Sequence, residues 1–169
     1  MPDLVFAIDP GSISSGLAAG HLRSGEVFHA GRIVPASGAR ADARRRMDEI
    51  AFGICRAIEA HNPTGEPALV VIEVPSGKVN AARHGGGGAG LAIYGEAVGV
   101  IRERVSRISF VEEVIHFDER RWTGGFSKEK RRRVAQSAWP GYSRKGDPGG
   151  DVSDAIALFK WFRTMGAKK

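Results

Sequence analysis

The run Leu4-Val5-Phe6-Ala7-Ile8 leads straight into Asp9, and Pro10-Gly11 then breaks it. An unbroken apolar stretch bounded by turn residues reads as a buried central strand. Asp9 falls at or near the end of that strand, where the sheet gives way to a loop. A charge placed there costs free energy unless it is paired or bound to a metal. The alternative is that Asp9 caps the Pro-Gly turn, a common role for Asp.

The pattern returns in Ala68-Leu69-Val70-Val71-Ile72-Glu73, where a break follows at Pro75. Glu is not a favoured turn residue, so turn chemistry explains this second acid less well. A third setting is Asp151-Val152-Ser153-Asp154-Ala155-Ile156-Ala157-Leu158-Phe159-Lys160-Trp161-Phe162, which follows Gly149-Gly150. Asp151 and Asp154 are three apart and share a helix face in the first turn, where the helix dipole favours acids. That accounts for Asp151. Asp154 lies further into an apolar helix and is harder to explain in this way.

Between these sites, Leu17–Leu22 and Glu26–Val34 read as two strands, with Ser24-Gly25 as the turn between them. Together with the first strand they predict an antiparallel meander. A helix is expected from about Ala39 to His61, with Met47, Ile50, Ala51, Ile54 and Ile58 on one face. Arg44-Arg45-Arg46 then reads as a solvated face, and Asn62-Pro63-Thr64-Gly65 ends the helix. Ser76 to Gly90 is rich in glycine and carries Lys78, Arg83 and His84. It matches neither a P-loop nor a dinucleotide fingerprint. It reads as a loop that orders on a ligand, or as a plain linker.

Leu91 to about Ile108 is expected to be helical, with Tyr94, Ala97, Val98, Ile101 and Val105 along one side. Leu91, Ile93 and Val100 broaden the apolar surface, as in a helix that is deeply buried or shared with a partner subunit. Phe110 to Phe117 reads as a strand. Arg120-Arg121-Trp122-Thr123-Gly124-Gly125-Phe126 reads as a loop of cations and aromatics. Ser127 is placed to cap a short helix running to about Trp139, and Gly141 to Gly150 reads as a second loop.

The length of 169 residues suits one domain, taken as residues 1–169, with a substantial core. A single cysteine, Cys55, excludes an intrachain disulfide and argues against a cysteine-based zinc site. No run approaches the length of a membrane span and no leader pattern opens the chain, so a cytoplasmic protein is expected. The net charge of +6 and the pI near 9.9 suggest a polyanionic partner, although many proteins are basic for no specific reason. The densest positive cluster is Arg120-Arg121 with Lys128, Lys130, Arg131, Arg132 and Arg133.

If the fold brings Asp9, Glu73, Asp151 and Asp154 together, the cluster repels itself unless protons or divalent cations neutralise it. Carboxylate oxygens suit Mg²⁺, with Mn²⁺ as a substitute. Two such ions about 4 Å apart can support phosphodiester hydrolysis. The basic cluster would hold a nucleic acid over them through its phosphates.

In their order and placement, Ile8-Asp9-Pro10-Gly11-Ser12 with Gly16, Val71-Ile72-Glu73-Val74 and Asp151-Val152-Ser153-Asp154-Ala155-Ile156-Ala157 resemble the RuvC-type Holliday junction resolvases of the RNase H-like superfamily. The resemblance implies an α/β fold, with a five-stranded mixed sheet flanked by helices on both faces. It implies a homodimer, formed through the helix at 91–108. It also implies Mg²⁺-dependent paired incision of a four-way DNA junction. Asp9, Glu73, Asp151 and Asp154 match the family's metal-binding acids. Gly124-Gly125-Phe126-Ser127-Lys128-Glu129-Lys130 is similar to its Gly-x-Gly-Ser-x-x-Lys stretch, which makes Lys130, then Lys128, the phosphate-contacting lysine. Arg120 or Arg121 would stand for a second lysine. Lys78, Arg83 and Arg131 complete the expected DNA-binding cations.

The family places an aromatic wedge shortly after its second acid, and Pro75 to Gly90 contains no aromatic. Trp122 and Phe126 are the substitutes in reach, since aromatic faces stack on splayed bases. Trp122 could equally be partly buried under its loop. These departures fit a divergent member, such as a phage or mobile-element version. Two other readings stay open. One is a nuclease of the same fold that acts on flaps, other branched DNA or RNA. The other is a non-catalytic nucleic-acid-binding module.

Overall fold

The structure, a computed structural model, describes residues 1–38, 40–74, 88–124 and 126–166. Five strands form one sheet: β1 (Leu4–Asp9), β2 (Ser15–His21), β3 (Val27–Ile33), β4 (Ala68–Val74) and β5 (Val111–Asp118). Their order across the sheet is β3-β2-β1-β4-β5. The β1–β2 and β2–β3 pairs are antiparallel, as a meander requires, and β1–β4 and β4–β5 are parallel. This is the five-stranded mixed sheet expected from the sequence.

Period-2 alternation splits the central strands between two cores. Leu4, Phe6 and Ile8 of β1 and Val70 and Ile72 of β4 pack with Ile50, Ile54 and Ile58 of α1 (Ala43–Ala60) and Ile101 and Val105 of α2 (Gly88–Val105). On the opposite face, Val5, Ala7 and Val71 pack with Ala155, Ile156 and Phe159 of α5 (Asp151–Gly166) and Ala135 of α4 (Lys128–Ala138). Asp9 and Glu73 continue the Val5-Ala7 and Leu69-Val71 series, so their alternation assigns both acids to the α5 face. The β1–β4 register runs to Ile8↔Ile72, and the two acids are the next residues along each strand.

Several boundaries differ from the sequence expectation. Helix α1 starts at Ala43 rather than near Ala39, because the Asp42 side chain accepts from the Arg44 and Arg45 amides. Arg46 does not join a solvated face: its guanidinium donates to the Ser12 and Ala41 carbonyls and ties α1 to the β1–β2 loop. Helix α2 begins and ends three residues earlier than expected. The stretch expected to be a loop from Arg120 to Phe126 contains a short helix, α3 (Glu119–Thr123), capped by the Asp118 side chain. No helix among the described residues is long and apolar enough to cross a membrane.

Candidate active site

One row across the sheet supplies the site's frame. Arg32 on β3 pairs with Gly16 on β2, and Gly16 pairs with Asp9 on β1. Residues directly opposite in paired strands share a face. The row therefore presents a guanidinium and a carboxylate on either side of a residue with no side chain. The first turn of α5 sits over that gap, and a Cβ on Gly16 would overlap the Asp151 carbonyl oxygen. In this way the strand acids and the helix acids become neighbours.

The start of α5 is held from below by Asp147. This carboxylate is buried and accepts from the Val152 amide at 3.1 Å and the Ser153 amide at 3.0 Å. Gly150, at φ +89°, makes the entry into the helix. Asp151 and Asp154 are thus fixed in a capped first turn, where the dipole favours them.

Asp9 and Glu73 feel both burial and neighbouring acids. Asp9 sits well above the usual carboxylate range, first because burial penalises its charge and then because Glu73, Asp154 and Asp151 repel it. Burial, with Glu119 and Asp154 nearby, pushes Glu73 up to about 8. Its ionised form is favoured in the other direction by the Tyr94 hydroxyl of α2, which donates to Glu73 Oε1 at 3.2 Å. Burial also raises Asp154, against the stabilising bond from Arg131.

Two arginines hold the helix acids. Asp151 Oδ2 accepts from Ser14 Oγ at 2.5 Å and from Arg32 Nε at 3.2 Å, and Arg32 Nη2 also donates to Ser14 Oγ. Asp154 accepts from Arg131 Nε at 2.6 Å and Nη2 at 3.2 Å. Among the described residues, no three histidine, cysteine, aspartate or glutamate side chains stand close enough together to hold one ion in common. The donor chemistry nevertheless fits a hard divalent cation. All four groups offer carboxylate oxygens, and a bound cation would offset the burial cost and the repulsion that together raise Asp9 and Glu73.

The expected DNA-binding residues fall into three groups. Lys128 and Lys130 are exposed in the first turn of α4, capped by Ser127 Oγ, and Arg120 and Arg121 are exposed on α3. Arg131 instead turns inward onto Asp154, and both side chains are only 14% exposed. Lys78 and Arg83 lie outside the described residues.

Trp122 requires a correction. It is 2% exposed, within the core between the sheet and α5, so its face is closed to a splayed base. Its indole lies under the Arg131 guanidinium, whose carbon is 5.5 Å from the ring centroid. Trp122 Nε1 favours the ionised form of Glu73 but makes no hydrogen bond of normal geometry. Phe126, at 36% exposure, is the loop aromatic that reaches solvent.

Sequence reading missed Arg32, Ser14, Tyr94, Glu119 and Asp147. Asp147 lay in a breaker-rich stretch before an apolar helix, and its capping distance is a readable signal. Arg32 had no such signal, because the β2–β3 pairing shifts register between Ala19 and Gly20 and cannot be counted from the turn.

No family model and no curated protein matches the chain. Solved structures do. One is described as Thermus thermophilus RuvC in complex with Holliday junction substrate. It is 15% identical, with a TM-score of 0.62 and 96% of each chain covered. A second, described as the Thermus thermophilus RuvC structure, is 16% identical with the same TM-score and the same coverage of both chains. The chain has the RuvC, RNase H-like fold.

Proposed function

We propose that this chain is a divalent-cation-dependent endonuclease that cuts four-way DNA junctions in paired fashion. The observation that carries the reading is the meeting of Asp9, Glu73, Asp151 and Asp154 at one sheet end, beside exposed Lys128 and Lys130. The RuvC fold, found in a structure described as bound to a Holliday junction substrate, supports branched DNA as the substrate class.

Asp9 and Asp154 would hold Mg²⁺ or Mn²⁺, with Glu73 and Asp151 completing the site. Such cations, when bound, would offset charge at the scissile phosphate and make a water more acidic. The remaining work belongs to the chain. Tyr94 orients Glu73, and the Arg32–Ser14 pair fixes Asp151. The exposed cations of α3 and α4 bind phosphates and orient the strand. A second copy of the chain would pair through the outward face of α2. Ile93 is 37% exposed on one flank of that face, and Gly95 and Gly99 open onto free space on the other. Two sites related by symmetry would then address the two strands.

A second reading draws on the arginine pairs. Acids neutralised by Arg32 and Arg131 are what a non-catalytic nucleic-acid-binding module would keep. One experiment separates the two. A synthetic four-way junction is incubated with Mg²⁺ beside linear duplex, a flap and single strands, with Asp9→Asn as the control. Paired symmetric nicks on the junction alone, abolished by the substitution, are the expected result. Cleavage of flaps or single strands moves the function to another structure-selective nuclease. Tight binding without cleavage in Mg²⁺ or Mn²⁺ supports the binding module.

A further inference from the structure

Asp154 has both carboxylate oxygens engaged by one side chain. Arg131 Nε takes Oδ1 and Nη2 takes Oδ2, the two-pronged geometry in which arginine pairs most strongly with a carboxylate. The third nitrogen, Nη1, donates to the Phe126 carbonyl at 2.6 Å. The guanidinium face lies over the buried Trp122 ring. With each partner 14% exposed, water screens the pair only partly.

This placement conflicts with Asp154 as a cation ligand. A divalent ion and a guanidinium compete for the same lone pairs, and the two positive charges repel at short range. Arg131 also lies at the first turn of α4, immediately after Lys130 and three residues after Lys128, which are exposed. A short swing of the side chain would carry its charge from the site to that basic surface.

We propose that Arg131 is a displaceable counter-ion of Asp154: it sets the site's affinity for a divalent cation and leaves Asp154 when the cation binds. This rests on the reading of the four acids as a metal centre. Without a cation, the guanidinium pairs the Asp154 carboxylate, whose charge would otherwise be buried unpaired. Its departure makes cation arrival a conformational event at α4, next to where the phosphates would lie.

The test is Mn²⁺ binding to the metal-free protein without DNA, measured by calorimetry on the wild type, Arg131→Gln, Arg131→Lys, Asp154→Asn and Asp9→Asn. Arg131→Gln is expected to bind Mn²⁺ about tenfold more tightly or better, since one close opposing charge is removed, with Arg131→Lys in between. The two acid substitutions are expected to weaken binding by at least about tenfold. Unchanged or weaker binding by Arg131→Gln, with binding lost in both acid variants, overturns the counter-ion role and leaves the metal centre standing. Binding unaffected by either acid substitution overturns the metal centre and the counter-ion role with it.

Should Arg131→Gln fail to fold, tryptophan emission reports the same event in the wild type. Saturating Mg²⁺ is expected to change the emission as the guanidinium leaves the Trp122 face, and Trp122→Phe is expected to remove that change. No change in the wild type at saturation overturns the proposal.

Discussion

Gly16 of β2 lies so close to the first turn of α5 that any side chain on it would strike the Asp151 carbonyl oxygen. The contact is with backbone on both sides, so neither partner can rotate away. It is the point at which the sheet carrying Asp9 and the helix carrying Asp151 and Asp154 meet. Gly16→Ala should therefore destabilise the fold by about 1–3 kcal/mol, as overpacking does. It should also reduce junction cleavage more than junction binding. Thermal unfolding and single-turnover cleavage check this; a variant as stable and as active as the wild type would show that the close approach is not needed.

The raised acids predict a pH dependence of stability. Glu73 titrates near its ordinary value of 4.5 in the unfolded chain and at about 8 in the fold. Asp9 is raised as well. Between those values the folded chain holds protons that the unfolded chain has lost, so stability falls as pH rises from about 4.5 to about 8. Metal-free protein should therefore melt at a lower temperature at pH 8 than at pH 5.5. Millimolar Mg²⁺ should close most of that gap by favouring the ionised acids. Chemical denaturation across the range, with and without EDTA, measures both effects.

Asp147 should matter as a cap without touching substrate. Asp147→Ala removes the acceptor for the Val152 and Ser153 amides and is expected to cost about 1–2 kcal/mol. Asp147→Asn keeps one acceptor oxygen and should recover part of the loss. Urea midpoints of the two variants, compared at constant slope, give the answer.

The burial of Trp122 separates it from base stacking. Trp122→Phe should leave junction affinity within about twofold, whereas loss of a stacking platform would remove about 1–3 kcal/mol per base. Trp122→Ala should instead unfold or strongly destabilise the chain by about 3–5 kcal/mol, since it empties a core site. Gel-shift affinity and thermal melting distinguish the two roles.

Lys130 should act through phosphate charge. Lys130→Gln is expected to weaken binding to all junction sequences alike and to lower the slope of log affinity against log salt by about 1. Arg131→Gln should change that slope less in metal-free protein, because Arg131 there is committed to Asp154. Salt titrations of the two variants side by side decide the matter.

The signals legible along the chain were local. Two apolar runs ending in Asp9 and Glu73, a period-3.6 face at Met47 to Ile58 and an apolar helix opening at Asp151 each carry their signal within a few residues. Strand and helix periodicity depends on such short-range spacing. The sheet's composition and the four acids were legible for that reason, and so was the antiparallel opening. Which charges sit on those acids depends on contacts between distant segments. Arg32 reaches Asp151 across 119 positions, and Arg131 reaches Asp154 across 23. The first of these contacts depends on a register that a bulge near Gly20 shifts, and the second on how α4 packs against α5. Trp122 illustrates the same limit. Its neighbours Arg120, Arg121 and Thr123 suggest a solvent-facing loop, but a single helical turn after β5 rotates the indole into the core between the sheet and α5. Local pattern sets which elements form, and long-range packing sets which side chains those elements expose, because burial is a property of the assembled layers.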